Sequence, residues 1–139
     1  MDFNSTFIES NDSNSSEDRI QSDCFQWAWN QFPKTRGLLY HIRNGGSIAS
    51  AREGNKFKAM GVVKGIPDLH LAIPATSEGI QYASLYIEMK KPKGKESEDQ
   101  IRIHEKLREA GNMVVTCRNL KHFQEIFLYW LDHSTFNYK

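Results

Sequence analysis

Two stretches decide how this chain is read: Gly65-Ile66-Pro67-Asp68-Leu69-His70-Leu71 and, further on, Leu85-Tyr86-Ile87-Glu88-Met89-Lys90. In both, apolar and polar residues alternate with the period of a half-buried strand, and the spacing predicts strands over residues 68–73 and 82–90, set as an antiparallel pair. Strand interiors disfavour aspartate, yet Asp68 opens the first strand directly after Pro67, which restricts the approach of the chain. In the second strand Leu85, Ile87 and Met89 share the core face. Glu88 and Lys90, two residues apart, project together from the opposite one.

Working outward, residues 17–32 read as a helix: Ile20, Cys24, Trp27 and Ala28 recur at helical spacing, Asn14, Ser15 and Ser16 offer N-caps, and Phe32-Pro33 ends it. Residues 38–43 form a short β-like run before the turn signal Asn44-Gly45-Gly46, and residues 47–60 fit either a short helix or a loop. After a Pro- and Gly-containing loop over residues 91–96, Ser97-x-x-Gln100 opens a helix that runs to Ala110 and stops at Gly111. Residues 113–117 are an apolar, β-branched strand, and residues 120–131 a helix with Leu120, Phe123, Phe127 and Trp130 on one face. This order predicts an α/β fold, a mixed sheet flanked by helices on both faces.

The chain has 139 residues, of which 39% are hydrophobic and 25% charged, enough for one core and no second one. No window approaches a membrane span, and no basic and apolar leader opens the chain, so an intracellular, cytoplasmic protein is expected. Cys24 and Cys117 are isolated and expected to be buried free thiols, which excludes a zinc ribbon or a disulfide scaffold. A net charge of +1 argues at face value against a polyanionic partner, but the average hides opposite signs. Residues 1–16 carry Asp2, Glu9 and Asp12 with no basic residue and are rich in Ser and Asn, which predicts a flexible acidic tail of −3. Residues 17–139, the expected domain, then carry +4. Residues 33–64 hold Lys34, Arg36, Arg43, Arg52, Lys56, Lys58 and Lys64 against Glu53 alone, a net of +6, and Lys90, Lys91, Lys93 and Lys95 crowd one loop.

Two further polar residues take positions that packing alone explains poorly. Glu17 shares the Ile20, Cys24 and Ala28 side of the first helix, although a carboxylate in a first turn also suits the helix dipole. Gln100 shares a face with Ile103, Leu107 and Ala110, which turns its amide inward near the helix start. An acid-x-Lys triplet alone is weak, since a chain one quarter charged yields about one by chance. Pro67-Asp68, Glu88-x-Lys90, Glu17 and Gln100 together are a stronger pattern. The five histidines form no H-x-x-x-H pair, so histidine ligation of a metal is not expected. His70 shares the Asp68 face, and the alternatives for it are a polar residue at the sheet's edge or one near a substrate.

With those residues in view, the sequence resembles the PD-(D/E)xK nuclease superfamily and, within it, the VRR-NUC family. The resemblance rests on Glu17-x-x-x-Gln21, on Gly61-Val62-Val63-Lys64-Gly65-Ile66-Pro67-Asp68-Leu69, on Ile87-Glu88-Met89-Lys90, on the Gly94 to Ser97 loop and on Gln100, and it spans nearly all of residues 17–131. It implies a restriction-endonuclease-like αβββαβ core, similar to the element order above if residues 38–43 are the first strand. The short chain is similar to small stand-alone phage and bacterial members, which implies a homodimer acting on branched DNA such as Holliday junctions in a bacterial cell.

The resemblance further implies a Mg²⁺- or Mn²⁺-dependent endodeoxyribonuclease. Hydrolysing a phosphodiester needs a nucleophilic water, neutralised phosphate oxygens and a stabilised leaving group, which a carboxylate-held divalent cation supplies. Asp68 and Glu88 are the expected direct ligands. The Met89 carbonyl is a third that the resemblance alone implies. Glu17 is expected to act through water or a second ion, Gln100 to orient water or substrate, and Lys90 to position the attacking water. A general-base role for Lys90 is less expected because carboxylates surround its ammonium. Arg43, Asn44, Lys56, Lys58, Lys64, Lys91, Lys93 and Lys95 flank this set and are the candidates to grip DNA phosphates. The alternatives are a nuclease for ordinary duplex or single strands, and a catalytically silent DNA-binding module. The aromatic set Phe123, Phe127, Tyr129 and Trp130 is expected in the core, while Ile126, Leu128 and Leu131 widen the apolar surface of the last helix enough to pack on a second copy.

Overall fold

A computed structural model describes residues 16–43 and 50–139. The expected acidic tail, apart from Ser16, the Asn44-Gly45-Gly46 turn and the candidate phosphate contact Asn44 lie outside the described residues. Helix α1 spans Glu17–Gln31; the Ser16 hydroxyl accepts the Arg19 N–H at 3.2 Å, and Glu17 and Asp18 complement the positive end of the helix dipole. Phe32 breaks it ahead of a 3-10 turn, Pro33–Thr35. There follow strand β1 Leu39–His41, helix α2 Ala51–Ala59, strands β2 Leu69–Leu71, β3 Ala75–Ser77, β4 Ile80–Tyr82 and β5 Leu85–Met89, helix α3 Glu98–Glu109, strand β6 Met113–Cys117 and helix α4 Leu120–Asp132.

The main sheet has the order β1-β2-β5-β6. Its first two pairings are antiparallel, and β6 runs parallel to β5 after the α3 crossover. Setting aside α2 and the β3–β4 hairpin, the chain traces α-β-β-β-α-β, followed by α4. One pleat face buries Leu69, Leu71, Leu85, Ile87 and Met89 in a core shared with Ile20, Cys24 and Ala28 of α1 and Phe123, Phe127 and Trp130 of α4. The aromatic rings there meet edge to face, with Trp27 against Phe123 and Phe127, and the Trp130 indole N–H donates to the Ile73 carbonyl at 2.7 Å. Tyr129, by contrast, is exposed. Both cysteines are buried free thiols, as expected, and burial raises them, Cys117 to about 12. Among the described residues no helix is long and apolar enough to cross a membrane.

One open reading is settled and three expectations need correcting. Of the ambiguous 47–60 segment, the described part forms a helix, capped by the Ser50 hydroxyl on the Glu53 N–H. Tyr82 does not begin the long strand: it pairs with Ala75 in a separate two-stranded sheet. The turn of that hairpin holds Glu78 and Gly79 at φ 52 and 78, the doubly left-handed conformation usually announced by Asn-Gly, and Glu in the first place hides the signal. His70 is not at an edge, because β2 is an interior strand. Finally, α3 buries only His104 fully; Gln100, Ile103 and Leu107 are half-buried, and Ala110 is exposed.

Gly65 fixes the approach to Asp68. Its φ is +92, and a Cβ on it would lie 2.6 Å from the Asp99 carbonyl oxygen and 2.7 Å from its carbon. The 65–68 segment is therefore pressed onto the N-terminal turn of α3. Gly65→Ala is expected to cost more than about 1 kcal/mol in urea unfolding, because it imposes both a strained backbone and a clash. The same change at Gly61, whose surroundings are open, is expected to cost less.

Candidate active site

Continuing the β2–β5 register, in which Leu69 faces Ile87, sets Asp68 opposite Glu88, and the β5–β6 register sets Glu88 beside Thr116. Asp68 and Glu88 thus share one rung, on the face opposite Ile87 and Met89. The Met89 N–H donates to Asp68 Oδ2 at 2.7 Å. In an extended strand a residue's N–H and C=O point to the same edge, so the Met89 carbonyl is turned toward Asp68 as well. Lys90 Nζ lies 3.8 Å from Glu88 Oε1, with both residues buried.

Gln100 reaches the same carboxylate through its place in the helix cap. Ser97 accepts the Gln100 N–H, while Gln100 Oε1 accepts the Ser97 N–H at 2.9 Å, closing a capping box. That bond leaves Nε2 facing away from the cap, and it donates to Glu88 Oε1 at 2.9 Å. The inward amide expected from the sequence is present. His104 completes the surround, Nε2 standing 3.5 Å from Glu88 Oε2.

Glu17 joins from α1: a Cβ on Gly94 would lie 3.4 Å from its Oε1, which seats the carboxylate against the 91–94 loop. Asp68 is pushed up to about 6, first by burial and then by the negative charge of Glu88; the Met89 hydrogen bond and His41 pull it down, and Glu17 adds a smaller push upward. His41 Nδ1 sits 2.8 Å from the Asp68 carbonyl oxygen and 2.9 Å from Gln21 Nε2, tying α1 to the start of β2. His70 is occupied elsewhere, bonded to Tyr40 and Ser84 and stacked on Tyr86.

Comparison with known proteins places the chain in a family. A family comparison matches the VRR-NUC domain over residues 14–119, most of the chain. The chain belongs to the VRR-NUC family. It therefore carries a nuclease-type domain. A solved structure of a VRR_NUC domain protein is similar in fold, with a TM-score of 0.69 at 24% sequence identity, over 88% of this chain and 93% of that one. No curated protein matches.

In this VRR-NUC chain, no group of three or more His, Cys, Asp and Glu side chains among the described residues forms a metal-holding cluster. What the site offers instead is two carboxylates on one rung and a main-chain carbonyl, all hard oxygen donors, a set that suits Mg²⁺ with several waters retained. The mutual repulsion of Asp68, Glu88 and Glu17 also fits a cation.

The basic residues divide. Lys58 and Lys64 line a cleft of about 1040 Å³ whose wall includes Gln100, and Lys64 also pairs with Asp99 at 3.4 Å. Arg102 and Lys106 line the same cleft from α3, outside the sequence-derived set, since helical periodicity marks them only as solvated positions. Arg43 lies over the Phe57 ring, 4.1 Å from its centroid, bracing α2. Lys56 is exposed on α2 but does not line the cleft. Lys91, Lys93 and Lys95 are exposed on the loop beside Glu17, held by Arg118, which donates to the Lys91 and Gly94 carbonyls at 3.0 and 2.7 Å.

The raised Asp68 sets a pH dependence for the cation-free protein. Between the ordinary value of 3.8 and about 6, the folded protein still holds a proton that the unfolded chain has released. In EDTA, stability is thus expected to fall by about 1–2 kcal/mol as pH rises through that interval, allowing for partial solvent screening. Asp68→Asn should flatten that part of a chemical-denaturation pH series.

Proposed function

We propose that this VRR-NUC protein is a metal-dependent endodeoxyribonuclease that cuts branched DNA. The observation that carries the reading is the rung on which Asp68 faces Glu88, with Lys90 Nζ 3.8 Å from the latter, in a chain of this family. Asp68, Glu88 and the Met89 carbonyl are the residues to hold Mg²⁺ or Mn²⁺, with Glu17 acting through water on the Asp68 side. The chemistry such an ion supplies is a more acidic attacking water and neutralised charge on the phosphate. Lys90 presents a compact ammonium at this rung, where it orients that water and faces a nonbridging phosphate oxygen. The water oxygen would bond to phosphorus as the bond from phosphorus to the leaving oxygen breaks, the water giving up a proton to solvent and the leaving oxygen taking one up to become the hydroxyl product. Gln100, bonded to Glu88 on one side and bordering the cleft on the other, keeps the carboxylate in place as the strand arrives.

Lys58, Lys64, Arg102 and Lys106 along the cleft, and Lys91, Lys93 and Lys95 on the loop, are suited to phosphates rather than base edges, so selection follows backbone shape. We extend the phosphate-gripping role to Arg43 and Lys56, which are exposed outside the cleft. The preference for branched substrates rests on pairing of two copies. The outer side of α4 exposes Leu128 and Tyr129, and a groove between that helix and β6 is lined by Met113, Val115 and Ile126. A two-fold dimer through this face would offer two sites to a two-fold junction.

The test is cleavage of a four-way junction, a flap, duplex and single strand with Mg²⁺, Mn²⁺ or EDTA. Wild type is expected to cut the branched substrates best and to be silent in EDTA. Lys90→Ala and Asp68→Ala are expected to retain salt-sensitive binding while losing at least about 100-fold in cleavage rate. Cutting in EDTA, or full activity in both variants, rules the assignment out; binding without cutting on every substrate supports a silent binding module instead. Light scattering checks the pairing: wild type should run as a dimer at micromolar concentration and Leu128→Glu as a monomer.

A further inference from the structure

Buried polar atoms ordinarily find hydrogen-bond partners, and each exception calls for a reason. Three buried atoms without one lie together here: Glu88 Oε2 and both ring nitrogens of His104. His104 is wholly buried, with Nε2 3.5 Å from Glu88 Oε2 and Nδ1 3.6 Å from Glu96 Oε1. Glu96 Oε1 is itself held by the Thr116 hydroxyl, which donates to it at 2.7 Å. The imidazole therefore stands between two carboxylates, too close to either for a water to intervene and a few tenths of an ångström beyond a normal hydrogen bond.

Packing alone does not call for an imidazole in this place. A fully buried ring with polar nitrogens carries a desolvation cost that Leu or Phe would avoid, and neighbouring Ile103 and Leu107 show that apolar residues serve on this helix. The Glu88 carboxylate has its Oε1 already engaged by Gln100 and Lys90. Its Oε2 has no hydrogen-bond partner among the described residues, and His104 Nε2 stands beside it at 3.5 Å.

We propose that His104 is a positioning residue: its Nε2–H, closing onto Glu88 Oε2, fixes the rotation of the carboxylate so that its Asp68 side is presented to a divalent cation. Glu96, anchored on Thr116 of β6, backs the ring from behind. Glu88 is then gripped at both oxygens, by α3 residues Gln100 and His104 one helical turn apart and by Lys90 of its own strand. This inference rests on the reading that Asp68 and Glu88 hold a cation.

The experiment is Mn²⁺ titration calorimetry on the full chain without DNA, with thermal melting in EDTA alongside, for wild type, Glu88→Gln, His104→Gln, His104→Asn and His104→Leu. A Gln amide nitrogen reaches the place of Nε2, whereas an Asn amide nitrogen reaches only that of Nδ1. His104→Gln is expected to bind Mn²⁺ within about 3-fold of wild type, and His104→Asn and His104→Leu about 10–100-fold more weakly. The Gln and Asn variants should melt alike, so their difference in affinity is not a difference in folding, and that pair decides the matter even if the Leu variant fails to fold. Equal affinity in the Gln and Asn variants overturns the inference. If wild type binds and Glu88→Gln does not, yet the His104 variants bind as wild type does, the positioning role alone falls. If wild type itself does not bind Mn²⁺, the cation reading falls and the inference with it.

Discussion

The structure turns on the burial of one carboxylate. Glu88 is 1% exposed in an interior strand, where an ionised side chain is tolerated only with partners on every side. Those partners arrive by different routes. Lys90 comes along the same strand, Gln100 through the cap of the following helix, and His104 from the next turn of that helix. The parallel β5–β6 pairing enforces this meeting, because the crossover that joins the two strands must pack α3 against the sheet face that bears Glu88.

A cluster of this kind is costly for folding, since an apolar rung would pack with less penalty. The cost is localised by the layering. On the far side of the sheet, α1 and α4 bury an apolar and aromatic core, and Asp23, buried on α1, pairs with Arg19 of the same helix. The polar face is thus free to hold acids side by side, and Asp68 is raised there by burial first and by the charge of Glu88 second. Lys58, Lys64, Arg102 and Lys106 line the cleft whose wall includes Gln100.

Much of this was legible because strand and helix periodicity are local properties. Leu85, Ile87 and Met89 alternate against Glu88 and Lys90, and Ser97-x-x-Gln100 spells its own cap, so strand faces, helix starts and the inward amide follow from spacing alone. The residues that were missed act across space. His104 looks like any polar helix position until the sheet beneath it is known, since its meaning lies in Glu88 and Glu96, which no helical period relates to it. Arg102 and Lys106 gain significance only from facing Lys58 and Lys64 over a cleft. The short hairpin escaped because Glu78 occupies a conformation that Asn or Gly normally announces. The thiols are legible from isolation alone, and there sequence neighbours are sufficient.

The alternation of a strand also sets what kinds of sequence change this site can absorb. Gly65 is pinned against Asp99 on one side, and Leu69 is locked opposite Ile87 on the other, leaving the 66–68 segment no slack. Losing or gaining one residue there would turn Asp68 to the apolar face and Leu69 to the polar one. Length variation in related chains should therefore be sparse between Gly65 and Leu69 and concentrate instead at the β3–β4 hairpin, whose tip at Gly79 meets nothing. Insertions and deletions, more than substitutions, would carry the record of constraint at this site.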